Sequence, residues 1–414
     1  MRYLLNSCRV YSFLFLFTVG SVIYALYEQV KYVKKVRRDY VINFHDKEYD
    51  FENEKAEKLF RNHRMYLRNI HKIKSRIKWL NTKQLVYNNY LGPVNNRTFV
   101  VVIQCHSNVY YLRTLLEALK KAVFINSAFL VFSHDHYSYE INKLIKTITF
   151  AKYIQIFYPY SMQLHPNVFP GSEPNSCVQG FPCELGHRRD PRAAQSKHHW
   201  WWQANQIFDH LYVLKNFSDP ILFLEEDNYV TEDVLVVYRL LQYARNIHCP
   251  FCELISLAAH VPDVAQYTRG KSVVSLEVWT NNMPSTAIAF DRKIWDSIKA
   301  SKDIFCYFND TNWDRSLKYL GSIKFEGNIY LTTMVGPRVF RLEKCDDKHV
   351  GCKLKYKVEE VKKFVKLISK HLYPYSIKIK VMSDDDFNST AAGFWTDPRD
   401  HELCMHFTKQ CVWF

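Results

Sequence analysis

At 414 residues and 48% hydrophobic, the chain has enough apolar side chain to bury one large core or two ordinary ones, which excludes a disordered polymer. Its formal charge of +15 raises nucleic acid as a partner, yet 16 Lys/Arg against 8 Asp/Glu fall between Glu28 and Asn95, so more than half of the excess lies in one short stretch. A solvated basic segment beside anionic lipid explains that distribution better than base recognition, and no nucleic-acid partner is expected.

Residues 1–9 form a short tail, followed by the uncharged run Val10–Tyr27 (VYSFLFLFTVGSVIYALY), which is long enough for a bilayer-spanning helix and is read as a retained signal anchor. Charge alone would place the body in the cytosol, because Arg2 and Arg9 precede the run whereas Lys31, Lys34, Lys35, Arg37 and Arg38 follow it. The 11 Cys, several in close pairs, and the sequons at Asn96, Asn216, Asn309 and Asn388 favour an oxidising lumen for the body. Residues 28–95 read as a basic stem. Within it Tyr66, Ile70, Ile73, Ile77 and Leu80 make one apolar helical stripe, free either to pack on the body or to join a second stem in a homo-oligomer.

Residues 96–414 form the body, where no repeat or linker interrupts the pattern. Apolar runs at FVVVIQC (99–105), AFLVFSHD (128–135), QIFYPY (155–160) and ILFLEED (221–227) alternate with helical spacing at 110–123 and 195–214. Later strands are expected at ELISLA, TAIAF and IYLTTMV, and Thr231 is expected to cap a helix with Glu232 and Asp233 in its first turn. The alternation predicts an α/β fold with a largely parallel sheet covered on both faces, and a ligand site at the carboxyl ends of its strands.

Three places carry candidate chemistry. Glu225, Glu226 and Asp227 end an apolar strand, where carboxylates either hold a divalent cation and its phosphates or stay solvated and face the next helix; pattern alone does not choose. KHHWWW (197–202) puts one cation, two imidazoles and three indoles in six residues, dividing between core Trp with surface His and a sugar or base pocket. Asp314 stands in the first turn of the helix predicted in NDTNWDRSLKYL, where a carboxylate is ordinarily a dipole partner.

In order along the chain, FVVVIQCHSNVYYLRTLLEALKKA, FLVFSHDHYSYEINKLI, QIFYPYSMQLHPNVFPGSEPNSC, QSKHHWWW, ILFLEEDNYV, NDTNWDRSLKYL and RDHELC resemble the N-acetylglucosaminyltransferase II family, from Thr98 to about Phe407. The resemblance implies a GT-A glycosyltransferase fold, Rossmann-like, in a Golgi type II membrane protein. The reaction it implies is inverting transfer of GlcNAc from UDP-GlcNAc to the 2-hydroxyl of the α1,6-arm mannose of N-glycans on glycoproteins, with Mn²⁺ as cofactor. It assigns Asp227 to the metal and Asp314 to the general base. To the nucleotide sugar it assigns Gln104, Cys105, His106, Ser107, Asn108, Asp135, Gln195, Ser196, Lys197, His198, His199, Glu225 and Glu226. It implies disulfides Cys177–Cys183, Cys249–Cys252, Cys306–Cys404 and Cys345–Cys352, while a further family pair falls on Ser301 and Lys324, losing both partners together.

Three departures bear on that reading. The family's second metal ligand, a His in PRxFH, is Arg341 in PRVFR here, and a protonated guanidinium has no lone pair for a metal. Its fixed charge is instead suited to neutralising the diphosphate. The family's HNRP reads HSNV, and a substrate-contacting Arg is absent around Ser256–Val264. The departures leave four readings: an active transferase on the α1,6 arm, a transferase with another mannose acceptor, a catalytically weakened or silent glycan-binding relative, or a transferase that needs no metal.

Overall fold

Alternating apolar runs build the centre of the molecule. The computed structural model describes residues 47–173, 189–258, 263–281, 283–325, 327–342, 354–381, 391 and 393–409, with side chains from 65 onward. The anchor run Val10–Tyr27 and the cysteine pairs 177/183 and 345/352 lie outside these residues. Among the described residues no helix is long and apolar enough to cross a membrane. Contacts divide the chain into units 1–68 and 69–414, and the sheet belongs to the second.

Among the described residues eleven strands follow in chain order: β1 (Phe99–Cys105), β2 (Ala128–His134), β3 (Lys152–Phe157), β4 (Ile221–Glu225), β5 (Asn228–Val230), β6 (Leu254–Ser256), β7 (Val273–Val278), β8 (Ile288–Phe290), β9 (Tyr330–Met334), β10 (Val339–Arg341) and β11 (Lys378–Val381). Nine form one sheet in the order β11-β7-β9-β6-β8-β4-β1-β2-β3. The half from β4 to β3 is parallel throughout, whereas β8 runs antiparallel to both β4 and β6, and β7 to β9. The result is a mixed, mostly parallel sheet.

Successive residues of β1 point to opposite cores. Val101 and Ile103 join Leu112, Leu115 and Val237 on one face; Val100 and Val102 join Trp200, Trp201 and Phe305 on the other. Burial on both faces is why these strands read as unbroken apolar runs rather than as an alternation.

The helix Lys47–Lys83 ends on the outer edge of that sheet. Ile77 and Leu80 are buried with Phe157 and Leu164, at roughly 2 kcal/mol per side chain. Asn81 supplies an amide in place of a strand neighbour: its Nδ2 donates to Phe157 O (2.7 Å) and its Oδ1 accepts from Phe157 N (2.9 Å). Tyr87 then bridges Tyr153 through backbone and stacked rings. The stripe thus packs on the body at this end and closes the exposed edge of β3.

Several local expectations shift. The third strand spans Lys152–Phe157 instead of 155–160, because Pro159 has no N–H for a ladder and the buried Lys152 reaches Pro93 O at 3.2 Å. The helix after β4 begins at Val234, with Asp233 at its N-cap and Thr231 outside it. Thr231 Oγ donates to Asp233 Oδ1 (2.7 Å), and both Asp233 oxygens accept from Arg338 Nε at 3.0 and 2.9 Å. Disulfides Cys249–Cys252 and Cys306–Cys404 are formed, the second joining helices Lys302–Tyr307 and Pro398–His406.

Arg338 and Asp233 are both fully buried, so removing one leaves the other charged and desolvated. The substitution Asp233→Ala is expected to cost about 3–5 kcal/mol of unfolding free energy in chemical denaturation. A loss under ~1 kcal/mol would show that the pair does not anchor β10.

Candidate active site

The sheet winds from β1 through β2 to β3 on one side, then returns to place β4 on the other side of β1. Beyond the carboxyl ends of β1 and β4 such a reversal leaves a crevice. Into it come the segment Gln104–Asn108 after β1, Asp135 after β2, and Glu225–Glu226–Asp227 at the end of β4.

Glu226 is buried and binds the neighbouring loop. Its carboxylate accepts from His106 N (2.8 Å) and Asn108 N (3.1 Å), and its own N–H donates to Gln104 O (2.9 Å). Burial pushes its carboxyl pKa up, against the pull of His106 and the two amides. Asn108 caps the helix Val109–Leu119 through Tyr110 N and Tyr111 N, while Ser107 is exposed at the loop's tip. Gln104 is buried and accepts from Gln203 Nε2 (2.9 Å). Cys105 is a buried free thiol, pushed well up by burial and then by Glu226, so its side chain belongs to the core.

Asp135 gathers a second set. His106 Nδ1 lies 2.6 Å from Asp135 Oδ2, and Gln195 Nε2 donates to the same oxygen at 3.1 Å. Gln195 Oε1 accepts from Met162 N, and Ser196 is half-buried beside it. Burial opposes charge on His106, but Asp135 prevails and lifts its pKa to about 9. Burial would likewise raise Asp135, but His106 holds it down at about 2. His199 is fully buried, driven down to about 4 by burial, with Nε2 on Ser133 Oγ (2.8 Å) and Nδ1 3.9 Å from Asp135.

Arg341 closes the other side. Strands β5 and β10 pair antiparallel with Arg341 opposite Asn228, one residue beyond Asp227. From there Nη2 reaches Glu225 Oε2 at 3.1 Å and Nε reaches Asp227 Oδ2 at 3.3 Å. Asn228 Nδ2 approaches Asp227 Oδ1 (3.3 Å), its Oδ1 accepts from Thr286 Oγ (2.7 Å), and Leu342 N donates to Asp227 O (2.7 Å). Glu225, against some burial and with help from Asp227, holds the guanidinium pKa above its usual value. A cavity of about 690 Å³ opens here, lined by Arg341, Asp314, Arg315, Asn281, Ser285 and Lys357 among others. Asp314 stands in the first turn of the helix Trp313–Lys324 with its side chain 23% exposed and Lys318 Nζ at 3.5 Å.

KHHWWW is buried throughout, which corrects both the surface His and the ring-lined pocket. Lys197 Nζ donates to the carbonyls of Phe308 (3.2 Å) and Asp310 (2.8 Å), and His198 Nε2 meets Asp400 Oδ1 at 2.9 Å. These two side chains brace the fold and do not join the strand-tip networks. Trp200 stacks on Trp313 at 4.4 Å, so the cluster holds the turn that presents Asp314.

Reading the chain missed Asn228, Thr286, Arg315, Lys357 and the Arg338–Asp233 pair. Lys357 lies on the helix Leu354–Ile368, and its signal was present in the spacing Val358, Val361, Val365, Ile368. Arg315 directly follows Asp314 and pairs with Asp310 close by, whereas Asn228 with Thr286 and Arg338 with Asp233 depend on pairings distant in sequence.

The residues around Asp227 do not fit a divalent cation. Two unit charges 4 Å apart interact by about 4 kcal/mol at an effective dielectric of 20, and a divalent ion beside Arg341 meets roughly twice that as repulsion. It would also have to displace the guanidinium from both carboxylates. Among the described residues His106, Asp135 and His199 have ligand atoms within 4.8 Å of one another, a spacing that could hold a metal ion. At neutral pH a protonated His106 uses its Nδ1 as a donor to Asp135 instead.

A His raised from 6.5 to about 9 stabilises the fold fully below pH 6.5 and progressively less as pH climbs through 9. Its side chain is 35% exposed, so the discounted effect is on the order of 1 kcal/mol. Unfolding free energy measured from pH 6 to 10 should therefore fall more steeply in the natural chain than in His106→Asn. Parallel profiles would contradict the ion pair.

A family model for N-acetylglucosaminyltransferase II matches residues 74–404. The human α-1,6-mannosyl-glycoprotein 2-β-N-acetylglucosaminyltransferase is 30% identical over 335 residues, covering 76% of this chain and 74% of that protein. The Arabidopsis thaliana protein of the same name is 28% identical over 358 residues, covering 77% and 78%. Among solved structures, S. aureus TarS 1–349 in complex with UDP-GlcNAc matches over 66% of each chain with 12% identity and a TM-score of 0.33. Matched over most of its length, the chain belongs to the N-acetylglucosaminyltransferase II family.

Proposed function

We propose that this chain is an inverting glycosyltransferase of GT-A fold that moves GlcNAc from UDP-GlcNAc to the 2-hydroxyl of the α1,6-arm mannose of N-glycans. The carrying observation is the single cavity shared by Asp314 and Arg341, with Arg341 reaching back to the carboxylates at the tip of β4. Inversion needs an acceptor oxygen attacking the anomeric carbon from the face opposite the departing nucleotide. Asp314 takes the hydroxyl proton as that bond forms, while the bond to the β-phosphate oxygen breaks and its electron pair leaves with UDP. Membership of the family supports donor, linkage and arm.

In this reading the run Val10–Tyr27 anchors the chain and the body faces the Golgi lumen, where the bridges Cys249–Cys252 and Cys306–Cys404 would persist. A silent glycan-binding relative is favoured by Arg341 in place of the family's ligand and opposed by Asp314 in the cavity.

Asp314→Asn should lower turnover of UDP-GlcNAc on a mannose-terminated N-glycan by about 10²–10⁴-fold, with UDP binding retained. Undiminished turnover would remove Asp314 as the base. Transfer to another mannose in a panel of defined N-glycans would correct the acceptor alone.

A further inference from the structure

Arg341 is a cation built into the protein where the nucleotide-sugar reading needs positive charge. The backbone pairing opposite Asn228 fixes its position, and Glu225 and Asp227 fix its side chain. A guanidinium has five N–H donors in a planar fork. Two of Arg341's nitrogens are committed, Nε to Asp227 and Nη2 to Glu225, and the side chain remains half exposed where it lines the cavity with Asp314. Arg315 and Lys357 line the same cavity, each with an acid in reach: Arg315 Nη1 lies 3.5 Å from Asp310 and Lys357 Nζ 3.7 Å from Glu360.

We propose that Arg341 stands in place of a divalent cation: its guanidinium receives the diphosphate of the donor, and neither donor binding nor transfer requires a metal ion. This rests on the nucleotide-sugar reading of the site and goes beyond it in removing the cofactor. The outward N–H groups bind a phosphate oxygen pair, a geometry suited to the guanidinium fork and poorly reproduced by a point charge. When the bond between the anomeric carbon and the β-phosphate oxygen breaks, the electron pair stays on that oxygen and Arg341 donates hydrogen bonds to it, while the acceptor proton passes to Asp314. No other co-reactant is needed. The two carboxylates act as orienting groups, keeping the charge in place before the donor arrives.

The test titrates UDP and UDP-GlcNAc into the full-length chain and its Arg341→His and Arg341→Ala variants, by calorimetry, in EDTA and in Mn²⁺, with turnover on a mannose-terminated N-glycan followed in parallel. Expected for the natural chain is a UDP affinity that differs by less than about threefold between the two conditions. Arg341→Ala should lose about tenfold or more in EDTA. Arg341→His, which places an imidazole beside Asp227, should bind weakly in EDTA and recover in Mn²⁺. Unfolding transitions of the variants check that a half-exposed substitution leaves the fold intact.

UDP binding by the natural chain that vanishes in EDTA, no UDP binding in either condition, or unchanged affinity in Arg341→Ala would each overturn the proposal. The two readings fail separately. Metal-independent UDP binding without turnover on any glycan sinks the transferase and keeps Arg341 as the diphosphate's partner, whereas turnover that demands Mn²⁺ keeps the transferase and removes Arg341 from the metal's place.

Discussion

Desolvated carboxylates at the ends of β2 and β4 set the conditions that the rest of the site satisfies. Charge this close to a sheet buried on both faces must be compensated or lost to protonation. Glu226 is compensated by the two amides of the loop after β1, Asp135 by His106 and Gln195, and Glu225 with Asp227 by Arg341. Each solution ties a different part of the chain to the strand tips. The loop after β1, the helix Pro191–Asn205 and strand β10 are thereby drawn around one crevice.

The aromatic core performs a related task for Asp314. On the proposed mechanism Asp314 is the base, and a base must be held within hydrogen-bond reach of its proton, whereas the first turn of a helix is easily displaced. Here Trp313 is pinned by ring stacking on Trp200, and the preceding loop is pinned through Lys197 to two of its carbonyls. Lys197 also lies 4.1 Å from the ring of Trp395, so its buried ammonium has carbonyl and π partners together. Within KHHWWW, Lys197 and Trp200 hold the turn that presents Asp314, while His199 lies against Ser133 and beside Asp135.

How much of this was legible follows from how local each feature is. β1, β2 and β4 are unbroken apolar runs with helical spacing between them, so the parallel half of the sheet and the acidic tip of β4 could be read directly. Strands β5 and β10 have three residues each and exist because of each other, 111 positions apart at the Asn228 to Val339 starts, so no local pattern announces them. Separation in sequence also hid the partners of Asp233, expected in a helix first turn and paired with Arg338 105 positions away, and of His198, paired with Asp400 202 positions away. Arg341 was visible as a departure from the family's PRxFH; that it bridges two carboxylates was not, because one partner lies at the end of β4 and the other beyond it.

On the proposal that an arginine stands where a metal would bind, more than one bond changes. A cation bound from solution brings a charge whose occupancy depends on its concentration and on competing chelators, and its ligands need only converge on it. An arginine brings a charge that is always present, at the cost that its position depends on the backbone carrying it. In this chain that backbone is a three-residue strand, set by pairing with β5 and by the buried Arg338–Asp233 pair three residues before Arg341. A one-residue slip in that pairing would put Phe340 or Leu342 opposite Asn228 and carry the guanidinium away from Asp227. On the proposal that Arg341 takes a metal's place, the buried ion pair is what would hold the protein-borne charge at the strand tip.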